Sequence, residues 1–237
     1  MDRGEALMRN CLLLLALAAC ARERGGAPGD ANNSTTQATE RAAPVGTAST
    51  GSNAPKTLLF LGTSITAGYG LDPDEAYPMQ IQRKIDSARL AYRVVNAGVS
   101  GETSSGLLRR LEWLLQQRLD VVVIETGAND GLRGVPIETM RSNLEQIITR
   151  IRSAQPATTI ALVQMEAMPN MGRSYAQGFH DAFPALAKRN GVVLLPFLLD
   201  GVAGERDLNQ GDGIHPNERG ERMVAENVWR ALKPLLR

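Results

Sequence analysis

Asp212-Gly213-Ile214-His215-Pro216-Asn217 puts a carboxylate three residues before a histidine on a loop that contains glycine. At that spacing the carboxylate can reach the imidazole Nδ1, fix the tautomer and stabilise the imidazolium. A capping aspartate beside a solvated histidine fits the same hexapeptide equally well. Gly62-Thr63-Ser64-Ile65-Thr66 offers a serine behind a glycine, directly after an apolar run. By itself such a triplet is more often a plain turn than a nucleophile. It is also not the nucleophile elbow of α/β-hydrolases, which requires glycine where Thr66 stands. The chain has two histidines. The other, His180, lies among Phe179, Asp181, Ala182 and Phe183 in a predicted helix, where a surface or half-buried role is expected.

Two further stretches can supply hydrogen-bond donors. Val99-Ser100-Gly101-Glu102-Thr103 contains a glycine that permits close backbone approach. Glu125-Thr126-Gly127-Ala128-Asn129-Asp130 contains an amide side chain. With the Ser64 N–H, the Gly101 N–H and Asn129 Nδ2 can form a three-donor oxyanion hole, in which each donor is typically worth about 10²–10³ in rate. A tight turn at Gly101 and a backbone cap at Asn129 are the plainer alternatives.

Each of these stretches is carried by a regular element. Strands are predicted at residues 57–61, 92–96, 121–124, 159–163 and 192–195, each a short apolar or β-branched run stopped by glycine, proline or a polar residue. Leu107, Leu108, Leu111, Leu114 and Leu115 recur at helical spacing behind Thr103 or Ser104 as cap. Pro136 suits a first helical turn, and Leu144, Ile147, Ile148 and Ile151 mark the buried face that follows. Further helices are predicted over 175–189, ending at Asn190-Gly191, and over 216–235. Strands alternating with helices imply a parallel sheet covered on both faces, with its site at the carboxyl ends of the strands. The serine, glycine and asparagine stretches all fall just after a strand.

The 237 residues suffice for one domain, and 43% hydrophobic with 22% charged residues is ordinary for a globular chain. A net charge of +1 gives no field that would favour nucleic acid. Cys11 and Cys20 are the only cysteines, so residues 21–237 hold no disulfide, thiolate zinc site or cysteine nucleophile. Dinucleotide-binding, P-loop and His-Glu-x-x-His motifs are absent.

Residues 1–20 read as an export signal. An apolar run from Cys11 to Ala19 follows Arg9 and falls well short of the ~20 residues needed to span a bilayer. Met8 makes a cleaner start than Met1, because Asp2 and Glu5 dilute the basic region. Leu17-Ala18-Ala19-Cys20 resembles the bacterial lipoprotein processing site, which implies acylation of Cys20 and a membrane anchor. Ordinary cleavage, releasing a periplasmic protein, is the alternative. Residues 21–55 carry one aliphatic residue larger than alanine, Val45, and read as a flexible linker. The domain is then 56–237.

Serine after strand one, glycine after strand two, asparagine after strand three and Asp-x-x-His near the end, in that order, resemble the SGNH (GDSL-type) hydrolases. Asn129-Asp130-Gly131-Leu132-Arg133-Gly134, Leu194-Leu195-Pro196-Phe197 and Asn170-Met171-Gly172-Arg173 are similar to the thioesterase I, lysophospholipase and arylesterase branch. The resemblance implies a flavodoxin-like three-layer α/β/α sandwich with a five-stranded parallel sheet. It implies Ser64 as nucleophile, His215 as base then acid, Asp212 as its orienter, and Ser64, Gly101 and Asn129 as oxyanion donors. Such a serine esterase needs no metal or organic cofactor. Its substrate would be a small-molecule or lipid ester, with Met165, Met168 and Met171 as adaptable walls of the acyl pocket. A carbohydrate O-deacetylase on the same fold and a non-catalytic binding lipoprotein are the competing readings. The family usually has aspartate where this chain has Thr63; the change removes a charge beside the serine but keeps a hydroxyl.

Overall fold

A computed structural model describes residues 54–237. The expected export signal, Cys20 and nearly all of the expected linker lie outside the described residues.

Five parallel strands form one sheet in the order β2-β1-β3-β4-β5. They are β1 (Lys56–Gly62), β2 (Tyr92–Gly98), β3 (Val121–Ile124), β4 (Thr159–Val163) and β5 (Val193–Leu195). β1 and β3 are buried almost throughout, as parallel strands covered on both faces must be. Leu58 to Leu61 and Val122 to Ile124 have no exposed surface, and each such large side chain contributes roughly 1.5–3 kcal/mol. β5 is an edge strand, with Val193 and Leu194 partly open to solvent.

Among the described residues there are seven α-helices: α1 (Ser64–Ala67), α2 (Tyr77–Ser87), α3 (Ser104–Leu114), α4 (Ala128–Leu132), α5 (Ile137–Ala154), α6 (Arg173–Asn190) and α7 (Glu218–Leu232). The connection from β1 to β2 runs one way along the sheet, and those from β2 to β5 run the other. Right-handed crossovers therefore put α2 on one face and α3, α5 and α6 on the opposite face. The packing agrees: α2 lies against α7, while α5 lies between α3 and α6. The result is the three-layer, flavodoxin-like sandwich expected.

The strands stand where the sequence places them. α2 had no predicted counterpart, although Tyr77, Ile81 and Ile85 recur every four residues and are fully buried. The last helix is shorter than predicted: regular α-helix stops at Leu232, and Lys233–Leu235 tighten into a 3₁₀ turn around Pro234.

The chain order reverses at β1, which lies between β2 and β3. In sheets of this kind the crevice at that switch point is where ligands bind. The loops that leave these three strands carry Ser64, Gly101 and Asn129.

Candidate active site

β1 delivers Ser64 to the first residue of α1, just past Thr63. Ser64 Oγ lies 2.8 Å from His215 Nε2, and His215 Nδ1 lies 2.7 Å from Asp212 Oδ2. The Asp212–His215 loop is preorganised. Asp212 Oδ1 accepts the N–H groups of Ile214 and His215 at 2.9 and 3.0 Å. The loop is also tied to the serine side of the cleft, because Gln210 Nε2 donates to the Tyr69 and Pro216 carbonyls at 2.7 and 2.9 Å. The Tyr69 ring stands 4.6 Å from the imidazole, centroid to centroid.

The side-chain bond from His215, helped by the two backbone N–H bonds, holds the Asp212 carboxyl down at about 2. An anionic carboxylate can only accept, so Nδ1 carries the imidazole proton. Nε2 is left with its lone pair facing the Ser64 hydroxyl.

Gly101 and Asn129 sit on the two neighbouring strand exits. Gly101 has φ +77°, in the left-handed region that suits glycine. Its carbonyl accepts from Arg133 Nη2 at 2.9 Å. Asn129 Nδ2 donates to the Glu102 carbonyl at 3.0 Å, so the two loops touch. Asn129 stands in the first turn of α4, whose cap Gly127 has φ +112°, a left-handed conformation that L side chains rarely adopt, and faces Met140 and Phe183 closely. The next residue, Asp130, accepts from the Ser104 N–H at 2.8 Å and the Ser104 hydroxyl at 2.6 Å. It thereby locks α4 to the start of α3. Glu102 in turn forms a two-pronged pair with Arg110, which also donates to the Ala97 carbonyl at 2.7 Å.

The three methionines part company. Met165 is 1% exposed and belongs to the hydrophobic core, so the expected pocket wall does not extend to it. It stands two residues past the end of β4, where the chain is still inside the sheet layers. Met168 is exposed, and Met171 packs beside Gly134 at the end of the Asn129 segment.

A polar cluster behind the serine was not anticipated. Thr63, Thr66, Glu125 and Glu221 are all buried, with Tyr77 between them. Glu125 Oε2 accepts from the Thr63 N–H and from Thr66 Oγ1, each at 2.8 Å, and Thr63 Oγ1 donates to Oε1 at 3.0 Å. Thr66 Oγ1 also bonds the Tyr77 hydroxyl at 2.9 Å, and Glu221 accepts the Tyr77 N–H at 2.7 Å. Burial pushes the Glu125 carboxyl up, against the pull of these donors. Burial likewise lifts Glu221 to about 8, opposed by the Tyr77 N–H and reinforced by the charge of Glu125. Thr63 thus stands where it donates to a buried carboxyl. An aspartate there would set a second carboxyl against the first.

A flavodoxin-like sheet with a serine at the exit of its first strand, joined through histidine to a carboxylate before its last helix, is the layout of a GDSL-type acyl hydrolase. The chain belongs to the GDSL-like lipase/acylhydrolase family, whose model matches residues 60–223. Among its relatives is the esterase TesA of Pseudomonas aeruginosa, 39% identical over 77% of this chain and 90% of the relative. The arylesterase of Vibrio mimicus is 35% identical over 78% of this chain and 92% of its own length. The crystal structure of the esterase EstA from Pseudoalteromonas, inhibited by monoethylphosphonate, superimposes with a TM-score of 0.73. It is 35% identical, and the match covers 76% of this chain and 98% of that one.

Proposed function

We propose that this protein hydrolyses carboxylic esters through an acyl-serine intermediate. The observation that carries this reading is the continuous Ser64–His215–Asp212 relay, with separations of 2.8 and 2.7 Å. His215 Nε2 takes the Ser64 proton as Oγ attacks the ester carbonyl. The resulting oxyanion is held by the N–H groups of Ser64 and Gly101 and by Asn129 Nδ2. As the tetrahedral adduct collapses, His215 passes its proton to the departing alkoxide and the acyl group stays on Ser64. Water then repeats the sequence: His215 takes its proton, the acyl–oxygen bond breaks, and the proton returns to Ser64 Oγ. Asp212 stays anionic throughout and steadies the imidazolium.

The arylesterase among the relatives and the lipase/acylhydrolase family support aryl and lipid esters as substrates. Exposed Leu132 and Met168 and half-buried Met171 suit an acyl chain lying across the loops after β3 and β4. We further read residues 1–20 as an export signal with Cys20 acylated, on the strength of its sequence. Metabolic labelling with a palmitate analogue should mark the natural chain and not Cys20→Ala; equal labelling removes the anchor.

The test of the activity is hydrolysis of p-nitrophenyl esters from acetyl to palmitoyl by the full chain, with Ser64→Ala as control. Turnover lost in the variant, with a phosphonate inhibitor adding its mass at Ser64, is the expected result. Turnover that survives Ser64→Ala would overturn the assignment, as would a folded wild-type chain inert on every ester.

A further inference from the structure

We propose that Glu125 is a positioning residue for ester hydrolysis: by accepting hydrogen bonds from Thr63 and Thr66, it fixes the serine turn against the loop that carries Asn129. The inference rests on the esterase reading above and adds to it a residue that touches neither substrate nor His215.

Three features of the structure point to this role. The first is connectivity. Glu125 is the residue after β3, and its own N–H donates to the Leu61 carbonyl at 2.7 Å, so its backbone is anchored to β1. Its side chain then grips the residue before Ser64 and the residue two after it. The peptide between Thr63 and Ser64 supplies one proposed oxyanion donor, the Ser64 N–H. Four residues beyond Glu125 stands Asn129, which supplies another. One carboxyl therefore links the segments that carry two of the proposed donors.

The second feature is the room made for it. A side chain on Gly62 would meet Thr66 Oγ1 at 1.9 Å and Glu125 Oε2 at 2.7 Å. The glycine of Gly62-Thr63-Ser64 thus serves to let Thr66 and Glu125 meet. The third is the choice of a carboxyl at all. Glu125 has no exposed surface, and among the described residues no lysine, arginine or histidine lies within ion-pairing reach of it. A buried acid without a cation is an expensive way to glue two loops. It is a good way to collect three donors on two oxygens, which a single hydroxyl cannot do.

The experiment compares kcat and KM on one p-nitrophenyl ester for the wild-type full chain, Glu125→Ala, Glu125→Gln and Thr66→Val, with folding checked by circular dichroism. Misplacing the serine turn by an ångström should lower kcat of Glu125→Ala by about 10²-fold while KM moves by no more than about threefold. Glutamine can accept from the Thr63 N–H through its oxygen and donate to the Thr63 hydroxyl, so it should restore kcat to within about tenfold of wild type. Thr66→Val removes one donor and should cost about tenfold in kcat, also with KM nearly constant. If Glu125→Ala does not fold, the Thr66→Val and Glu125→Gln values decide the matter. A loss confined to KM, an alanine variant with kcat within about threefold of wild type, or a glutamine variant as impaired as alanine would each overturn the proposal. Failure of the esterase reading itself looks different, because the wild-type chain would then show no Ser64-dependent turnover to compare.

Discussion

The molecule holds two histidine–carboxylate pairs of the same length, and only one of them also reaches a hydroxyl. His215 Nδ1 lies 2.7 Å from Asp212, and His180 Nδ1 lies 2.7 Å from Glu166. They differ in what surrounds them. Asp212 is fixed through its second oxygen by two backbone N–H groups, and His215 presents Nε2 to a serine 151 residues away in sequence. His180 rides on the exposed side of α6, half open to solvent. Besides Glu166, its ring nitrogens have Gln164 at 3.5 Å, and among the described residues no hydroxyl. A histidine–carboxylate contact is easy to form wherever a helix passes a loop. A third group, brought from another strand end by the fold, turns such a contact into a relay.

The comparison breaks most sharply at the rings themselves. His215→Ala should lower kcat/KM by on the order of 10⁵, since the members of such a relay act as a unit. Steady-state kinetics on a p-nitrophenyl ester measures it, and a loss under about tenfold would place the base elsewhere. Asp212→Asn should cost less, about 10²–10⁴ in kcat, because the amide can turn Nδ1 into an acceptor and strand the proton on Nε2. Asp212 titrates at about 2, so it is anionic from mildly acidic pH upward. The acid limb of the pH–rate profile should therefore contain no step from Asp212. A second limb, appearing near pH 4 in the wild type and absent in the asparagine variant, would contradict that.

The sequence already displayed what the relay needs, because each member follows or precedes a regular element that periodicity reveals. Val121 to Ile124 is a strand on composition alone, and whatever follows it must emerge at the carboxyl edge. The buried carboxyls were hidden for the opposite reason. Glu125 and Glu221 look like surface residues in a one-dimensional reading. Their partners lie 62 and 144 residues away, so only the fold brings them together. α2 escaped notice because Pro73 and Pro78 flank its start and polar residues separate its buried positions. Met165 illustrates a type-based argument overreaching: a methionine after a strand suits a pocket, yet this one is still within the core.

Asp212 and the buried Glu221 should also answer pH with opposite sign. Asp212 is depressed, so its bonds favour the folded state at neutral pH and are lost only in strong acid. Glu221 is raised to about 8 from an ordinary value of 4.5. Between those values the folded state holds a proton that the unfolded chain has released, so stability falls as pH rises and levels off above about 8. Glu221→Gln keeps an acceptor for the Tyr77 N–H and carries no charge. Its melting temperature should match wild type near pH 5 and exceed it by several degrees near pH 9, at roughly 2–4 °C per kcal/mol for a domain this size. Parallel melting curves at every pH would show that Glu221 is not the titrating group.

The smallest effect belongs to the other histidine. His180→Ala deletes a contact that matches the Asp212–His215 one in length, yet the protein should hardly notice. An exposed histidine–carboxylate contact contributes at most about 1 kcal/mol, and the Gln164 amide still holds the His180 main-chain carbonyl at 3.2 Å whatever the side chain is. Melting temperature should fall by no more than about 3 °C, and kcat/KM should stay within about twofold of wild type. The measurement has force because α6 begins directly after the loop bearing Met168 and Met171. If that loop shapes the acyl site and His180–Glu166 braces it, the loss would appear as a changed chain-length preference with the acetyl ester unaffected. An equal fall on all esters would instead mean that His180 reaches the chemistry itself, and the contrast between the two pairs would collapse.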